Sequence, residues 1–90
     1  MPKYVIEREI PGAGQLSQDE LRAISQQSVG VLNEMGPKIR WIQSYVVDDK
    51  IYCIYEAESA DLILVHARCL GTPANVISEV RAEISPRTAE

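Results

Sequence analysis

The sequence of 90 residues has little of the material that several large functional classes need. Its nine Lys and Arg residues are outnumbered by thirteen Asp and Glu residues, which gives a net charge of -4. An acidic chain without a basic cluster is poorly suited to a phosphate backbone, so we expect no nucleic-acid partner. No apolar run approaches the ~20 residues that span a bilayer, so we expect no membrane segment either.

Several catalytic and targeting motifs are also missing. Gly12 and Gly14 precede a predicted helix, but they have neither the spacing nor the lysine of a phosphate-binding loop. No serine stands in a nucleophile-elbow sequence. The chain begins with a strand-like segment and not with a signal peptide. We therefore expect a cytoplasmic protein in which Cys53 and Cys69 are reduced thiols.

The apolar residues that are present, with caps and breakers between them, divide the chain into six elements. Ser17 and Glu20 have the spacing of a capping box, and Gly36 followed by Pro37 ends the helix that starts there. Strands are predicted where β-branched and aromatic residues alternate with polar ones. The predicted strands are residues 4–10, 39–47, 51–57 and 76–84, and the predicted helices are residues 17–36 and 59–70.

This order, βαββαβ, is the split βαβ pattern of an α+β ferredoxin-like sandwich. It predicts a four-stranded antiparallel sheet with two helices on one face. A chain of 90 residues has no room for a second core, so residues 1–90 are predicted to form one domain. Residues 85–90 are predicted to be a C-terminal tail.

The open face of such a sheet must meet water or another subunit. Strict alternation along the second strand puts Trp41 and Tyr45 on the same side. An open face that carries either ring would expose a large apolar patch, which is typical of an interface. We therefore predict a two-fold homodimer through the open sheet face. The alternative is that Trp41 folds back over the edge of its own hairpin.

Few side chains could carry chemistry. His66 is the only imidazole, and such a residue is either a ligand or a hydrogen-bonded core residue. Cys69 stands one helical turn later, so the two side chains could approach one cation, and these donors suit nickel, copper or zinc. Cys53, in the middle of the third strand, is either a second thiolate or a small buried hydrophobe.

Glu7 is the leading candidate among the carboxylates. It shares one face of the first strand with Glu9, and that strand is central in the predicted topology. A polar pair at the centre of a sheet suggests a ligand or a base. The alternative is that both residues form salt bridges with Arg81 on the neighbouring strand.

Several segments together carry a resemblance to a known family. They are residues 4–14, Trp41 with Ser44 to Val46, Asp49 and Lys50 leading to Tyr52 to Tyr55, His66 to Arg68, Gly71 with Pro73 and Ala74, and Ser78 to Val80. In these segments the sequence resembles a family of small bacterial domains whose named members are nickel-binding or nickel-responsive. The resemblance runs from Tyr4 to Glu90. It implies a ferredoxin-like fold, a dimer and Ni²⁺ binding, without an established reaction.

The resemblance also suggests ligands. His66 falls on the helix histidine of the family, which would be the imidazole ligand. The other characteristic polar positions of the family correspond to Glu7, Tyr45, Cys53 and Tyr55.

The chain departs from the family beside this histidine. Val65 replaces an acidic residue that could bind metal or orient the ring. Cys69 is an additional thiol, which either takes over the role of that acid or only packs against its neighbours.

The sequence thus predicts a cytoplasmic homodimer that binds nickel without catalysis, with metal ligands His66, Glu7, Cys53 and Tyr45. Two alternatives remain open. The first is a small dimeric αβ-barrel-type enzyme with His66 as general base, in which Tyr45 or Tyr55 orients a small organic ligand within a cavity of several hundred Å³. The second is a ligand-free protein-interaction module in which His66 is hydrogen-bonded in a filled core.

Overall fold

The computed structural model describes all 90 residues and confirms the α+β ferredoxin-like fold. Both helices pack on one face of an antiparallel sheet whose strand order is β2-β3-β1-β4, so β1 and β3 are the central strands. Short 3-10 turns lie at Ala13–Gln15 and Pro86–Ala89, the second of them within the predicted tail. The main elements are β1 (Lys3–Glu9), α1 (Gln18–Met35), β2 (Ile39–Val46), β3 (Lys50–Ala57), α2 (Ala60–Leu70) and β4 (Val76–Glu79).

Local signals in the sequence determine both ends of α1. The Ser17 hydroxyl accepts from the backbone N–H of Glu20 at 3.1 Å, and the Glu20 carboxylate accepts from the backbone N–H of Ser17 at 3.0 Å. The predicted capping box is therefore confirmed. Gly36 ends the helix with a φ of 87°, a conformation that glycine adopts without a steric cost. Neither helix combines the length and apolar character needed to cross a membrane.

Residues of the central strands alternate between two environments. We call the side beneath the helices the covered face; on β1 it carries Tyr4, Ile6 and Arg8, all of which are buried. The opposite side is the open face, and there Glu7 lies across from Tyr52 in the ladder with β3. On β3 the covered-face residues are Ile51, Cys53, Tyr55 and Ala57.

A β-bulge in β2 overturns the predicted orientation of Trp41. The register shifts between Trp41 and Gln43, so one extra residue interrupts the alternation. Trp41 then lies across from Tyr55 and Ser44 across from Cys53, both on the covered face, while Tyr45 lies across from Tyr52 on the open face. Strict alternation could not anticipate this, and the prediction that Trp41 and Tyr45 share a side was wrong.

Strand β4 is shorter than the predicted range of residues 76–84. Its only neighbour is β1, and the two pair antiparallel from Glu7 with Val76 to Tyr4 with Glu79. Beyond Glu79 one further backbone bond forms, from the N–H of Val80 to the carbonyl of Lys3 at 2.8 Å. The ladder stops there because β1 begins at Lys3.

Candidate functional site

A cluster of polar side chains lies between the covered face and the helices. Arg8 comes from β1, Cys53 and Tyr55 from β3, Ser28 from α1 and His66 from α2. All five are buried, with Arg8 4% exposed and His66 fully enclosed. Polar groups in such a place need partners, because burying them without hydrogen bonds costs several kcal/mol. The partners that they have, and those that they lack, define the site.

His66 faces inward because of its position on α2. It falls on the same helical stripe as Ile63 and Ala67, which are buried as well. Its Nε2 lies 3.2 Å from the Ser28 hydroxyl and 3.1 Å from the Tyr55 hydroxyl. The other ring nitrogen, Nδ1, is buried and has no hydrogen-bond partner in the protein. The imidazole is therefore held on one edge and free on the other.

The electrostatics of the cluster keep two of its side chains, His66 and Tyr55, neutral. Burial, and then the Arg8 cation, lower the pKa of His66 to about 4. Burial, and then the neighbouring Cys53, raise the pKa of Tyr55 above its usual value. At neutral pH the ring of His66 is thus uncharged and the phenol of Tyr55 keeps its proton.

Arg8 brings a permanent positive charge into this interior. Its Nη1 donates to the carbonyl oxygen of Pro73 at 2.7 Å, and its Nε donates to the Cys53 sulfur at 3.4 Å. The guanidinium carbon lies 6.0 Å from the centre of the Tyr55 ring. Its Nη2 is buried without a partner in the protein, and no carboxylate forms a salt bridge with Arg8. The charge is therefore enclosed without a counter-ion.

A cavity of about 290 Å³ adjoins the cluster, between α1, the covered face and the end of α2. Four of its lining residues are exposed, so the cavity opens to the surface: Ile24, Gln27 and Val46 lie on α1 and β2, and Gly71 follows α2. His66 does not line the cavity and approaches it only through the hydroxyls of its two neighbours. The polar and charged side chains on the wall include Arg8, Ser28, Ser44, Cys53 and Tyr55.

The sheet divides the four predicted metal ligands into two pairs. His66 and Cys53 lie in the interior, whereas Glu7 and Tyr45 lie on the open face. Glu7 pairs with Lys50 at 3.6 Å. No group of three or more His, Cys, Asp and Glu side chains converges in the chain. The ligand set as a whole thus stays a prediction, and within one chain the sheet separates the two pairs.

Other predicted contacts differ from those observed. Cys69 is exposed while His66 is buried, so the two do not face one cation. The predicted pairing of Arg81 with the carboxylates of β1 was wrong, because β4 ends before Arg81, which pairs with Glu79 at 3.2 Å. The carboxylate of Glu9 instead accepts from the Asn75 side chain at 3.1 Å.

Sequence reasoning missed Arg8, Ser28 and Ser44 as members of the site. The signal for Arg8 was available, since it follows Tyr4 and Ile6 on the inward side of a central strand, where a charge is unusual. Ser28 is a small buried residue of α1, and a serine at such a position gives no sequence signal for a polar contact. Ser44 required knowledge of the bulge in β2.

The fold and the site define a ferredoxin-like protein with a polar interior and a small cavity beside it. The family model described as nickel responsive protein, SCO4226-like, matches residues 4–80, and the chain belongs to this family. The crystal structure of SCO4226 from Streptomyces coelicolor A3(2) is similar, with a TM-score of 0.75 and 21% sequence identity over 91% of this chain and 99% of that one. At that identity the likeness establishes the fold alone. Among curated proteins, none matches the chain.

Proposed function

We propose that this protein binds nickel(II), with His66 and Cys53 as the donors from the chain. Imidazole nitrogen and thiolate sulfur are ligands that suit nickel, whereas the carboxylate and phenol oxygens of Glu7 and Tyr45 suit harder cations. Both proposed donors lie on the covered side of the sheet: Cys53 is two residues from Tyr55 on β3, and Nε2 of His66 lies 3.1 Å from the Tyr55 hydroxyl. The family description, nickel responsive, agrees with this choice of metal.

The unpartnered Nδ1 of His66 carries the proposal. This atom is buried without a hydrogen-bond partner in the protein, so a bound metal would satisfy it. A pKa of about 4 keeps the ring in the neutral form that coordinates metals. The contacts of Nε2 with Ser28 and Tyr55 would hold the ring in a fixed orientation, as the outer partners of a metal-bound histidine do.

Charge limits what the interior pair can do by itself. A Cys53 thiolate would bring one negative charge, but Arg8 already donates to that sulfur at 3.4 Å. Adding a divalent cation would leave the interior with a net positive charge, which is costly without an added anion. We therefore propose that two donors come from the chain and that the remaining coordination positions are filled by water or by other donors.

Calorimetric titration with nickel(II) near pH 7.5 tests this proposal. We expect saturable uptake by the wild type and about tenfold or greater weakening in His66→Gln and in Cys53→Ser, because each variant loses one ligand. Glu7→Gln is the matched control on the open face and should bind nearly as the wild type does. Thermal unfolding of each variant checks that it folds. Absence of uptake by the wild type, or undiminished uptake in both interior variants, would refute the proposal.

We further propose that two copies associate through the open face. This face and its rim expose several large apolar side chains, including Ile42, Tyr45 (55% exposed) and Val76. Large apolar side chains exposed on one face of a sheet favour an interface. Two copies related by a two-fold axis would each cover the patch of the other.

Sedimentation at several protein concentrations tests the dimer. The wild type should sediment as a dimer, and Tyr45→Lys should weaken association about tenfold or more, because it puts a charge into the buried patch. Val29→Lys is the control, since Val29 is also exposed but lies on α1. A wild type that remains monomeric would contradict the interface.

The last part of the proposal concerns the compartment in which the protein resides and whether it catalyses a reaction. Cys53 and Cys69 are both free thiols, which suits a reducing compartment such as the cytoplasm. We propose no catalytic step. A general base must lie within hydrogen-bond reach of its substrate, and His66 does not line the cavity that could hold an organic ligand.

A further inference from the structure

We propose that the cavity between α1 and the covered face binds a small organic carboxylate, whose anionic group pairs with Arg8 and whose apolar body fills the remaining space. The proposal does not require nickel, although Cys53, one of the proposed nickel donors, also lines this cavity. It rests on the partners of Arg8, on the composition of the cavity wall and on the size of the cavity.

Arg8 is the only charged residue on the cavity wall, and its hydrogen bonding is incomplete. Nη1 and Nε have acceptors in Pro73 and Cys53, but Nη2 has none in the protein although it is fully buried. A guanidinium carries five N–H donors in a rigid plane. Buried charges in proteins are paired or hydrogen-bonded, so an enclosed guanidinium without a carboxylate indicates that its anion comes from outside the chain.

The groups around Arg8 favour a monoanion. Arg8 supplies one positive charge, and no other charged side chain lines the wall to compete for the ligand. The hydroxyls of Ser28 and Tyr55 on the wall are further neutral hydrogen-bonding groups. One guanidinium matches one carboxylate in charge and in planar geometry. A phosphate dianion would require a second cation, and the wall offers none.

The rest of the wall is mainly apolar and indicates the other half of the ligand. It includes Leu16, Leu21, Ile51 and Leu70, together with the ring of Trp41. Apolar cavities of about 150 Å³ accommodate benzene in other proteins. A cavity of about 290 Å³ therefore admits an aromatic or short aliphatic acid and excludes much larger ligands. Its opening between α1 and β2 provides a route of entry.

Trp41 provides a direct measurement. It is the only tryptophan of the chain, it lines the cavity, and its Nε1 donates to the Ser44 hydroxyl at 2.9 Å. Chelator-treated wild-type protein is titrated with benzoate, phenylacetate and hexanoate at constant ionic strength, and each acid is compared with its neutral amide. Trp41 fluorescence and the unfolding temperature are followed together, so that a ligand invisible to one measurement is detected by the other.

We expect at least one of the three acids to bind saturably and at least tenfold more tightly than its amide. Arg8→Met should abolish this preference while leaving the protein folded, and Arg8→Lys, which keeps the charge but loses the planar fork, should retain part of it. Arg40→Met is the matched control, because Arg40 lies on the open side in a salt bridge with Glu56. It should bind as the wild type does.

The proposal is overturned if none of the acids binds in preference to its amide, or if Arg8→Met binds them as tightly as Arg40→Met does. A purely structural Arg8 would give a third pattern, in which Arg8→Met lowers the unfolding temperature and the wild type shows no acid-specific response. That result also overturns it. Because metal is removed with chelator before the titrations, none of these outcomes depends on whether the protein binds nickel.

Discussion

The two faces of the sheet are built from alternate residues of the same strands, but their charged side chains differ in exposure and in pairing. On the open face, Glu7 and Lys50 lie 3.6 Å apart, and their side chains keep 34% and 40% of their exposure. One residue further along β1, on the covered face, Arg8 is 4% exposed and has no carboxylate partner. Surface pairs of the first kind contribute about 0–1 kcal/mol because water solvates both charges.

This contrast indicates where function resides. A solvated pair has its hydrogen bonds without any ligand, so the open face has no polar group that requires one. The interior has two such groups, the Nδ1 of His66 and the Nη2 of Arg8. Both proposals for ligand binding therefore concern the covered face, whereas the open face is described better by its exposed apolar side chains as a place for a second copy.

The largest expected difference between the faces is in packing. Ile6→Ala, on the covered face, should lower the free energy of unfolding by about 3 kcal/mol, because Ile6 is fully buried and leaves a cavity. Ile54→Ala is the matched change on the neighbouring strand, where Ile54 points to the open face and is half-buried. In dilute monomer it should cost about 1 kcal/mol or less, measured by urea denaturation.

The same pair of variants tests the dimer. If the open face is buried between subunits, the cost of Ile54→Ala should grow with protein concentration, while that of Ile6→Ala should not. Equal losses for both variants in the dilute monomer would contradict the division into a covered and an open face.

The next prediction concerns pH and the covered face. The pKa of His66 is about 4 in the folded protein, below the usual value of 6.5, so the unfolded state binds more protons between these values. Stability should therefore be complete above about pH 6.5 and fall as the pH is lowered towards 4, by at most about 3 kcal/mol. Denaturation curves at a series of pH values measure this loss.

His66→Gln is the control for the pH series, because it removes the titrating ring but keeps a polar side chain. The carboxylates of the protein titrate equally in both proteins, so the difference between them isolates His66. If the free energy of unfolding of the variant falls between pH 6.5 and 4 as steeply as that of the wild type, His66 is accessible to protons in the folded state.

The smallest effect is expected on the open face. Glu7→Gln removes the charge that faces Lys50, and because both side chains are partly exposed it should change the free energy of unfolding by less than about 1 kcal/mol. The difference from the wild type should shrink in high salt, which screens exposed pairs. A loss of several kcal/mol would show that Glu7 is buried in the assembled protein and would contradict its description as a solvated surface residue.

Much of the fold could be predicted because it depends on local signals. The capping box at Ser17 and the positive φ of Gly36 determine the extent of α1 from neighbouring residues alone. The order of strands and helices follows from apolar periodicity, and with the short loops it is compatible with few topologies. The end of β4 was missed because it depends on where its partner β1 begins, which is a property of the pairing and not of β4 itself.

The candidate site was predicted only in part for the same reason. His66 and Cys53 were identified by their chemistry, which is visible in any sequence. Whether Glu7 joins them depends on which face of the sheet each strand presents, and a shift of one residue reverses that. The bulge in β2 is such a shift. Because of it, Trp41 lies on the covered face, at the cavity wall, and Tyr45 lies on the open face.

The sequence by itself determined the element order, the ends of the first helix and the small set of side chains able to bind a metal, because these depend on residue type and short-range spacing. Only the tertiary structure decided that Arg8 is enclosed without a counter-ion, that His66 is held by Ser28 and Tyr55, and that a cavity adjoins them. These features arise where four elements distant in the chain meet. Burial and hydrogen-bond partners there are properties of the packed assembly, which no local pattern specifies.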